Sequence, residues 1–208
     1  MTHSKMRLIV ASNNSNKLRE FHEILGERFD IVSMHEAGID ADIEENGTTF
    51  EENALIKANY VMNACHCAAI ADDSGLEVDA LGGAPGIYSA RYCGRHGDDD
   101  ANNALLLRNF FNTKAKAFVP HAVNQIVDVP GVIVPVVVRS GHAPIVCRGT
   151  CEGEILTEGR GNGGFGYDPL FLCETGKTFA EISPEVKNAI SHRKRGIEAV
   201  LHALEAEQ

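Results

Sequence analysis

Several features that mark other protein classes are missing from this 208-residue sequence. No apolar run approaches the length of a membrane span, and the first apolar stretch gives way too soon to polar residues to be a secretory signal. We therefore expect no membrane association and a cytoplasmic location. Internal repeats, linkers and low-complexity stretches are also missing, so the chain can bury its core as one domain or as two lobes around a cleft.

Positive charge is scarce as well. The chain has 19 Lys and Arg against 29 Asp and Glu, which gives a formal net charge of −10. This balance argues against non-specific binding to nucleic acid. Any contact with a phosphate must then be built locally, from a few well-placed lysines and arginines.

The cysteines lack the repeated spacing of a zinc site. Six are present, and the nearest approaches to such a site are Cys65-His66-Cys67 and the pair Cys147 and Cys151. Without a secretory signal, we expect reduced thiols that serve as packing residues.

Strand-like and helix-like segments alternate along the chain, which predicts an α/β fold with a mainly central sheet. Leu18, Phe21 and Leu25 have the one-face spacing of a helix, and Thr49 with Glu52 matches a capping box that opens a helix to about Cys65. The other predicted elements are strands at Arg7 to Ala11, Ile31 to Met34 and within Phe118 to Val146, a helix from Asp98 to about Phe111, a strand or turn at Phe165 to Leu172, and helices capped by Ser183 and Ser191. Prolines 120, 130, 135 and 144 should confine parts of the valine-rich region to sheet edges or hairpin loops.

The most informative segment is ADDSGLEVDALGGAPGIYSARY, residues 71–92. An apolar run leads to Asp72 and Asp73, and Ser74-Gly75 is predicted to turn the chain before a second strand-like run. Adjacent strand residues point to opposite faces, so one acid is forced toward whatever lines the strand end. A buried carboxylate requires a positive partner, which would be a metal ion or a lysine. The alternative is an ordinary strand–turn–strand with solvated acids.

A second acidic pair, Glu44 and Glu45, precedes the capped helix. Carboxylates from two separate segments suit magnesium, which takes few protein ligands and binds phosphate as well. Lys57 lies two turns into the same helix. A lysine beside an apolar stripe usually extends to water, and this one can bind phosphate only if the helix start faces the cleft.

A polar turn follows the first predicted strand and consists of Ser12, Asn13, Asn14, Ser15, Asn16 and Lys17. The entry from strand to helix presents backbone N–H groups and the helix dipole to an anion, and Asn14 and Lys17 add side-chain donors. The spacing is not that of a P-loop, and such a turn can also be only a turn.

A glycine-rich segment, GNGGFGYDP at 161–169, surrounds Phe165 with small residues. The bare ring face suits the stacking of a flat heterocycle, and Asp168 could accept from a ring N–H. The alternative is a glycine-rich turn with a core aromatic residue.

Two cations open the last predicted helix. A cap at Ser191 places His192 and Arg193 at its positive end, where cations are unfavourable for the helix itself. This mismatch indicates an external anion or carbonyl as their partner.

Five segments together resemble one family. They are ASNNSNK (11–17), ENGTTFEENALIKA (45–58), residues 71–92, GNGGFGYDPLF (161–171) and KNAISHRKRG (187–196). In this order they resemble the inosine triphosphate pyrophosphatase family, the XTP/dITP diphosphatases that hydrolyse non-canonical purine nucleoside triphosphates. The resemblance implies one domain over 1–208, with an elongated central mixed sheet flanked by helices, two lobes with the active-site cleft between them, and a homodimer.

The resemblance also implies roles for individual residues. Residues 12–17 would form the substrate loop, with Asn14 and Lys17 on the phosphates. Glu45 and Asp73 would hold Mg²⁺, and Asp73 would be the general base. The remaining substrate-binding residues would be Lys57 and Lys187 on phosphates, Ser74, the base-contacting Phe165, Gly166, Tyr167 and Asp168, and His192 and Arg193 at the 6-keto edge of the purine.

The implied activity is Mg²⁺-dependent hydrolysis of dITP, ITP or XTP to the monophosphate and pyrophosphate, which cleanses the nucleotide pool. Two alternatives stay open: a related pyrophosphatase of different base preference, such as the pyrimidine-directed family of similar fold, and a non-catalytic nucleotide sensor. The set of acids and lysines favours an enzyme. Residues 120–144 depart from the family pattern and suggest an altered hairpin. We expect this difference to change the local sheet pairing or the dimer contact, and not the activity, because none of the predicted site residues lie in this segment.

Overall fold

The computed structural model describes residues 5–116 and 128–207. Its strands are β1 (Met6–Val10), β2 (Phe29–Ser33), β3 (Ala69–Leu76), β4 (Asp128–Val138), β5 (Ile145–Val146), β6 (Gly149–Ile155) and β7 (Phe171–Leu172). Its helices are α1 (Ser15–Leu25), α2 (Phe50–Cys65), α3 (Asp99–Lys116), α4 (Pro184–Ile190) and α5 (His192–Ala206). The strands hydrogen-bond in the order β2-β1-β3-β4-β6-β7, and β5 pairs with β4. Parallel and antiparallel pairs both occur, so the predicted α/β class with a mixed central sheet is confirmed.

The chain divides into two compact units. The first consists of Met1–Asp73, Ile133–Gly149 and Arg193–Gln208, and the second of Ser74–Val132 and Thr150–His192. Nowhere in the described ranges does a helix combine the length and the hydropathy of a membrane span.

Parallel pairing organises the first unit. β1 lies between β2 and β3, with Leu8 opposite Ile31 and Val10 opposite Ile70. These four side chains are buried, as the near-continuous apolar runs of parallel strands lead one to expect. Their core is completed from the helices and the other strands by Phe21, Leu25, Val137, Ile145, Ile197, Val200 and Leu204.

Local capping sets the starts of α1 and α2. The Asn14 side chain accepts hydrogen bonds from the N–H groups of Asn16 and Lys17, so α1 begins at Ser15. Thr49 caps α2 by accepting from the Glu52 N–H at 3.1 Å, which confirms the predicted cap. The Glu52 carboxylate accepts from the N–H and hydroxyl of Thr48, one residue earlier than the capping-box pattern places it.

The packing of α5 against β4 depends on a glycine. A Cβ at Gly196 would lie 2.8 Å from Ile133 Cγ2 and 3.1 Å from Pro135 Cδ. Real Cβ atoms do not approach so closely, so the absence of a side chain at 196 sets the distance between helix and strand.

The second unit has its own apolar core. Leu106 and Phe110 of α3 pack with residues of β3, β6 and β7 and with the segments around them, namely Leu76, Val78, Cys151, Ile155, Leu170, Phe171, Cys173 and Phe179. Cys151 and Cys173 are buried here, in agreement with their prediction as packing residues. Ser183 accepts from the Val186 N–H and Pro184 occupies the first helical position, so the predicted start of α4 is confirmed.

Some local predictions are wrong. Ser74-Gly75 does not turn the chain, because β3 runs without interruption from Ala69 to Leu76. Pro130 and Pro135 lie inside the eleven-residue β4 and not in a hairpin loop, and β4 is not an edge strand because β3 and β6 are its neighbours. The Pro135 carbonyl accepts from the Cys147 N–H at 3.1 Å. Of the segment predicted to be an altered hairpin, Pro120 and the rest of 117–127 lie outside the described residues.

Candidate active site

Seven ionisable side chains converge in the first unit, and we call them the charge cluster. They are Lys17, Glu20, Glu45, Lys57, Asp72, Asp73 and Arg193. Helices α1, α2 and α5, strand β3 and the segment before α2 each supply at least one of them. The cluster therefore gathers stretches that are far apart in sequence, including four of the five that carry the family resemblance.

Lys57 lies between the two carboxylates of Glu45 and Asp73. Its ammonium lies 2.9 Å from Glu45 Oε1 and 3.7 Å from Asp73 Oδ1, and it donates to the Asp72 backbone carbonyl at 2.8 Å. The residue is 8% exposed, so the alternative of a lysine extended to water is wrong. Burial opposes its charge, but Asp73, Glu45 and Asp72 outweigh burial and hold the pKa of Lys57 above its ordinary value.

Asp72 anchors the other half of the charge cluster. Its Oδ2 lies 3.0 Å from the Lys17 ammonium and 3.3 Å from Arg193 Nη2, and the same guanidinium pairs with Glu20 through Nη1. Burial opposes ionisation of the carboxyl, yet Lys17, Arg193 and Lys57 hold the pKa of Asp72 well below its usual range. Asp72 is thus a buried carboxylate that stays charged because cations surround it.

Arg193 has internal partners. The sequence indicated an external anion or carbonyl acceptor for a cation in the first turn of α5, whereas the guanidinium is buried between Glu20 and Asp72. Two carboxylates offset the unfavourable helix dipole. The predicted contact of Arg193 with the purine stays a prediction.

Asp73 lies in a different environment from its neighbour. Its Oδ2 accepts from Asn53 Nδ2 at 3.1 Å, and its other oxygen faces Lys57. Burial raises the pKa of Asp73, and the nearby charge of Glu45 adds to this, while Lys57 and Lys17 counteract it. The carboxylates of Glu45 and Asp73 thus disfavour each other's negative charge, and an added cation would stabilise both of them in the charged form.

The two acids that precede α2 lie in different environments. Glu44 is exposed, whereas the Glu45 side chain is 26% exposed and reaches Lys57. Within 5–116 and 128–207, no group of three or more His, Cys, Asp or Glu side chains is arranged to hold a metal by itself.

The polar turn after β1 has two parts. Ser12 and Asn13 connect β1 to α1, and Ser12 Oγ accepts from the Asn14 N–H at 3.2 Å. Asn14 uses its side-chain oxygen as the helix cap, while Ser15 and Asn16 lie in the first turn of α1. Lys17 is the member of this segment that joins the charge cluster.

In the second unit, the glycine-rich segment 161–169 forms what we call the Phe165 loop. Asp168 is buried and accepts from the Phe165 N–H at 2.8 Å and from the Lys187 ammonium at 2.6 Å. The same ammonium lies 4.5 Å from the centroid of the Phe165 ring. A Cβ at Gly164, where φ is +74°, would lie 2.1 Å from Asp168 Oδ2, so glycine is required for this approach. Lys187 is 6% exposed, and Asp168 is its ion-pair partner.

Helix α3 holds the tip of the Phe165 loop. The Gly166 N–H donates to Asp99 Oδ2 at 2.7 Å, and Asn103 Nδ2 donates to the Gly166 carbonyl at 3.0 Å. The Tyr167 hydroxyl donates to the Ser89 carbonyl at 2.9 Å, and burial raises the pKa of Tyr167 above its ordinary value. The backbone around the Phe165 ring is therefore fixed from several directions.

These contacts predict that replacing Asp99 destabilises the fold more than replacing its neighbour Asp100 does. We expect Asp99→Ala to lower the free energy of unfolding by about 1–2 kcal/mol, because the Gly166 N–H loses its acceptor. Asp100→Ala is the matched control, since Asp100 lies in the same turn of α3 but is exposed. Urea denaturation of both variants measures the difference, and equal midpoints would contradict a role for Asp99 in holding the loop.

The last two predicted site residues are Ser74 and His192. Ser74 follows Asp73 directly within β3. His192 is the first residue of α5, and a Cβ at Gly131 would lie 3.1 Å from its Nδ1, so the imidazole packs against the backbone of β4.

Sequence reasoning missed several residues that contact predicted site residues, among them Glu20, Asn53, Asp99 and Asn103. Two of them had a usable signal: Glu20 lies three residues after Lys17 in α1, and Asn53 lies four residues before Lys57 in α2, which places each on the face of a predicted site lysine. Asp99 and Asn103 had none, because their contact with Gly166 joins positions more than sixty residues apart.

Known proteins are similar to this chain over nearly its whole length. A dITP/XTP pyrophosphatase of Clostridium perfringens is 48% identical over 200 residues, which cover 92% of this chain and 94% of the relative. A dITP/XTP pyrophosphatase of Bacillus cereus is 42% identical over 202 residues, which cover 93% and 92%. These names confirm the predicted resemblance.

Solved structures agree. A Ham1 protein from Coxiella burnetii matches with a TM-score of 0.83 and 36% identity, covering 97% of this chain and 99% of its own. The Ham1 protein of Staphylococcus aureus matches with a TM-score of 0.81 and 38% identity, covering 97% and 100%. Residues 8–203 match the model of the Ham1 family. This chain therefore belongs to the Ham1 family.

Proposed function

We propose that this chain is a nucleoside triphosphate pyrophosphatase that converts dITP, ITP and XTP to the monophosphate and pyrophosphate in the presence of Mg²⁺. The observation that carries the proposal is the charge cluster, in which Lys17 and Lys57 accompany the carboxylates of Glu45 and Asp73. The dITP/XTP pyrophosphatase names of its relatives support the substrate class.

The carboxylates of the charge cluster fit a magnesium ion. Glu45 and Asp73 both lie within 4 Å of the Lys57 ammonium, so a cation is already favoured between them. Magnesium is typically bound by one or two carboxylates together with substrate phosphates, which agrees with a site that has few protein ligands. Glu45 and Asp73 would hold the ion, and its charge would stabilise the phosphate oxygens as the anhydride opens.

Asp73 is the proposed general base. A water molecule hydrogen-bonded to its carboxylate would transfer a proton to it while the water oxygen attacks phosphorus. The α–β anhydride bridge then breaks, and pyrophosphate leaves from the monophosphate. Lys17 and Lys57 would offset the negative charge that develops on the phosphate oxygens.

The Phe165 loop supports the choice of base. Phe165 is half-buried, its N–H donates to Asp168, and α3 holds the next residue, Gly166, so the ring is rigidly placed for stacking. We propose that His192 and Arg193 donate to the 6-keto group of hypoxanthine or xanthine. Adenine presents a 6-amino donor at this position, so it offers no acceptor where a keto oxygen would accept, and the lost hydrogen bond costs about 1–3 kcal/mol. Asn14, Ser74 and Lys187 as further substrate contacts, the homodimer and the cytoplasmic location stay predictions.

The test is release of pyrophosphate from dITP, ATP, dGTP and dUTP, measured with Mg²⁺ and after its removal by a chelator. We expect rapid release from dITP that is lost on chelation and restored by added Mg²⁺, and slow release from ATP and dUTP. Guanine shares the 6-keto group, so the rate with dGTP measures whether the 2-position of the base is selected as well. Faster release from dUTP would favour the pyrimidine-directed alternative, and equal release from ATP would contradict selection of the base. Binding of dITP without release would favour a sensor.

A further inference from the structure

Asn53 connects the two segments that supply the proposed metal-binding carboxylates. The residue is fully buried in the first turn of α2, with 0% of its surface exposed. Its Oδ1 accepts from the Gly47 N–H at 2.8 Å, and its Nδ2 donates to Asp73 Oδ2 at 3.1 Å. One neutral side chain therefore holds the backbone two residues after Glu45 and, at the same time, the carboxylate on β3.

The contact at Gly47 leaves no spare room. A Cβ at this position would lie 2.7 Å from Asn53 Oδ1 and 2.7 Å from Glu52 Cβ. The next residue, Thr48, donates from its N–H and its hydroxyl to the Glu52 carboxylate at 2.6 and 2.8 Å. The segment that carries Glu45 is thus fastened to the first turn of α2 at two successive residues.

The chemistry of the position calls for an amide. The Gly47 N–H needs an acceptor, and the Asp73 carboxylate needs a donor, and a carboxamide offers both in a fixed orientation. Aspartate at position 53 would add a carboxylate next to Asp73 and remove the N–H donor that Asp73 accepts from. Alanine would remove the partner of both the Gly47 N–H and the Asp73 carboxylate.

We propose that Asn53 is a positioning residue that holds Glu45 and Asp73 in the arrangement needed to share one divalent cation. The inference deepens the proposed function and rests on it. Asn53 does not touch the substrate or the ion. It acts through the groups that do, as hydrogen-bond partners of metal-binding carboxylates commonly act.

The direct test is cation affinity, measured by titrating the full-length protein with Mn²⁺ and following the free ion by electron paramagnetic resonance, with Mg²⁺ as competitor. We expect Asn53→Ala and Asn53→Asp to weaken binding by about 10–100-fold. Asn63→Ala and Asn63→Asp are the matched controls, because Asn63 lies in the same helix but is exposed, and they should bind as the wild type does.

A second variant approaches the bridge from its other end. Gly47→Ala keeps Asn53 but forces the loop away from it, so it should weaken Mn²⁺ binding in the same direction. This variant keeps the test decisive if the Asn53 variants do not fold. Pyrophosphate release adds a further readout: weakened positioning raises the Mg²⁺ concentration for half-maximal rate, and saturating Mg²⁺ restores most of the rate.

The outcomes separate the inference from the proposed function. If the wild type binds Mn²⁺ and folded Asn53 and Gly47 variants bind it equally well, Asn53 is only a structural link between α2 and β3 and the inference is overturned. If the wild type itself binds neither Mn²⁺ nor Mg²⁺ with a nucleotide triphosphate analogue present, the proposed metal dependence fails and takes the inference with it.

Discussion

Asp73→Asn should reduce the rate of pyrophosphate release from dITP by about 10²–10⁴-fold while the protein stays folded. Asparagine keeps the shape of the side chain and can still accept the hydrogen bond from Asn53, but it cannot take a proton from water and binds a cation poorly. Lys57 retains its contacts with Glu45 and the Asp72 carbonyl. Burial raises the pKa of Asp73, so an uncharged group there should not destabilise the fold.

The measurement for Asp73→Asn pairs the initial rate at saturating Mg²⁺ and dITP with the urea midpoint of the same preparation. Asp100→Asn controls for loss of one negative charge, since Asp100 is exposed on α3. A rate within a few-fold of the wild type would show that Asp73 is not the base. A rate loss accompanied by an equal loss of folded protein would show that the residue supports the structure and not the chemistry.

Asp72→Asn, in contrast, should act on the stability of the protein and lower the free energy of unfolding by about 3–5 kcal/mol. The Asp72 side chain is 1% exposed and neutralises Lys17 and Arg193 together. Removing its charge leaves the buried guanidinium of Arg193 with Glu20 as its remaining carboxylate, and it takes the same partner from the half-buried Lys17. Removing one partner of a buried ion pair lowers the free energy of unfolding by more than the intact pair contributes to it, because the remaining charge stays desolvated.

Urea denaturation checks the prediction for Asp72, and Asp73→Asn is its matched control. The two variants make the same chemical change at adjacent positions of β3, so a difference between their midpoints reports on the partners alone. Equal midpoints would contradict the assignment of Asp72 to the structure of the charge cluster.

The features that sequence could predict are those with a local cause. The start of α2 follows from Thr49, and that of α4 from Ser183 and Pro184, because a cap acts within one turn of helix. The α/β class follows from the alternation of periodic segments. The resemblance alone assigns Glu45, Asp73 and Lys57 to one site, the acids to the metal and the lysine to phosphates, and the distances in the charge cluster bring the three together.

The features that sequence could not predict depend on long-range contacts. Arg193 pairs with Glu20 across 173 positions. Its place in the first turn of a helix indicated an anionic or carbonyl partner, but nothing local showed that the partner lies within the chain. Ser74-Gly75 has the composition of a turn, yet β3 continues through it because pairing with neighbouring strands outweighs local preference. Phe165 to Leu172 is mostly turn, since only Phe171–Leu172 pairs with β6.

The glycine at position 196 has a consequence for anyone who wishes to make this protein more robust. Replacing a glycine within a helix by alanine ordinarily gains about 1 kcal/mol, so routine thermostabilisation would select it. Here the new methyl group would meet Ile133 and Pro135 and push α5 outward. Arg193 lies less than one turn away on the same helix, so the guanidinium would shift with it. A substitution chosen only for heat resistance would then disturb the ion pair between Arg193 and Asp72.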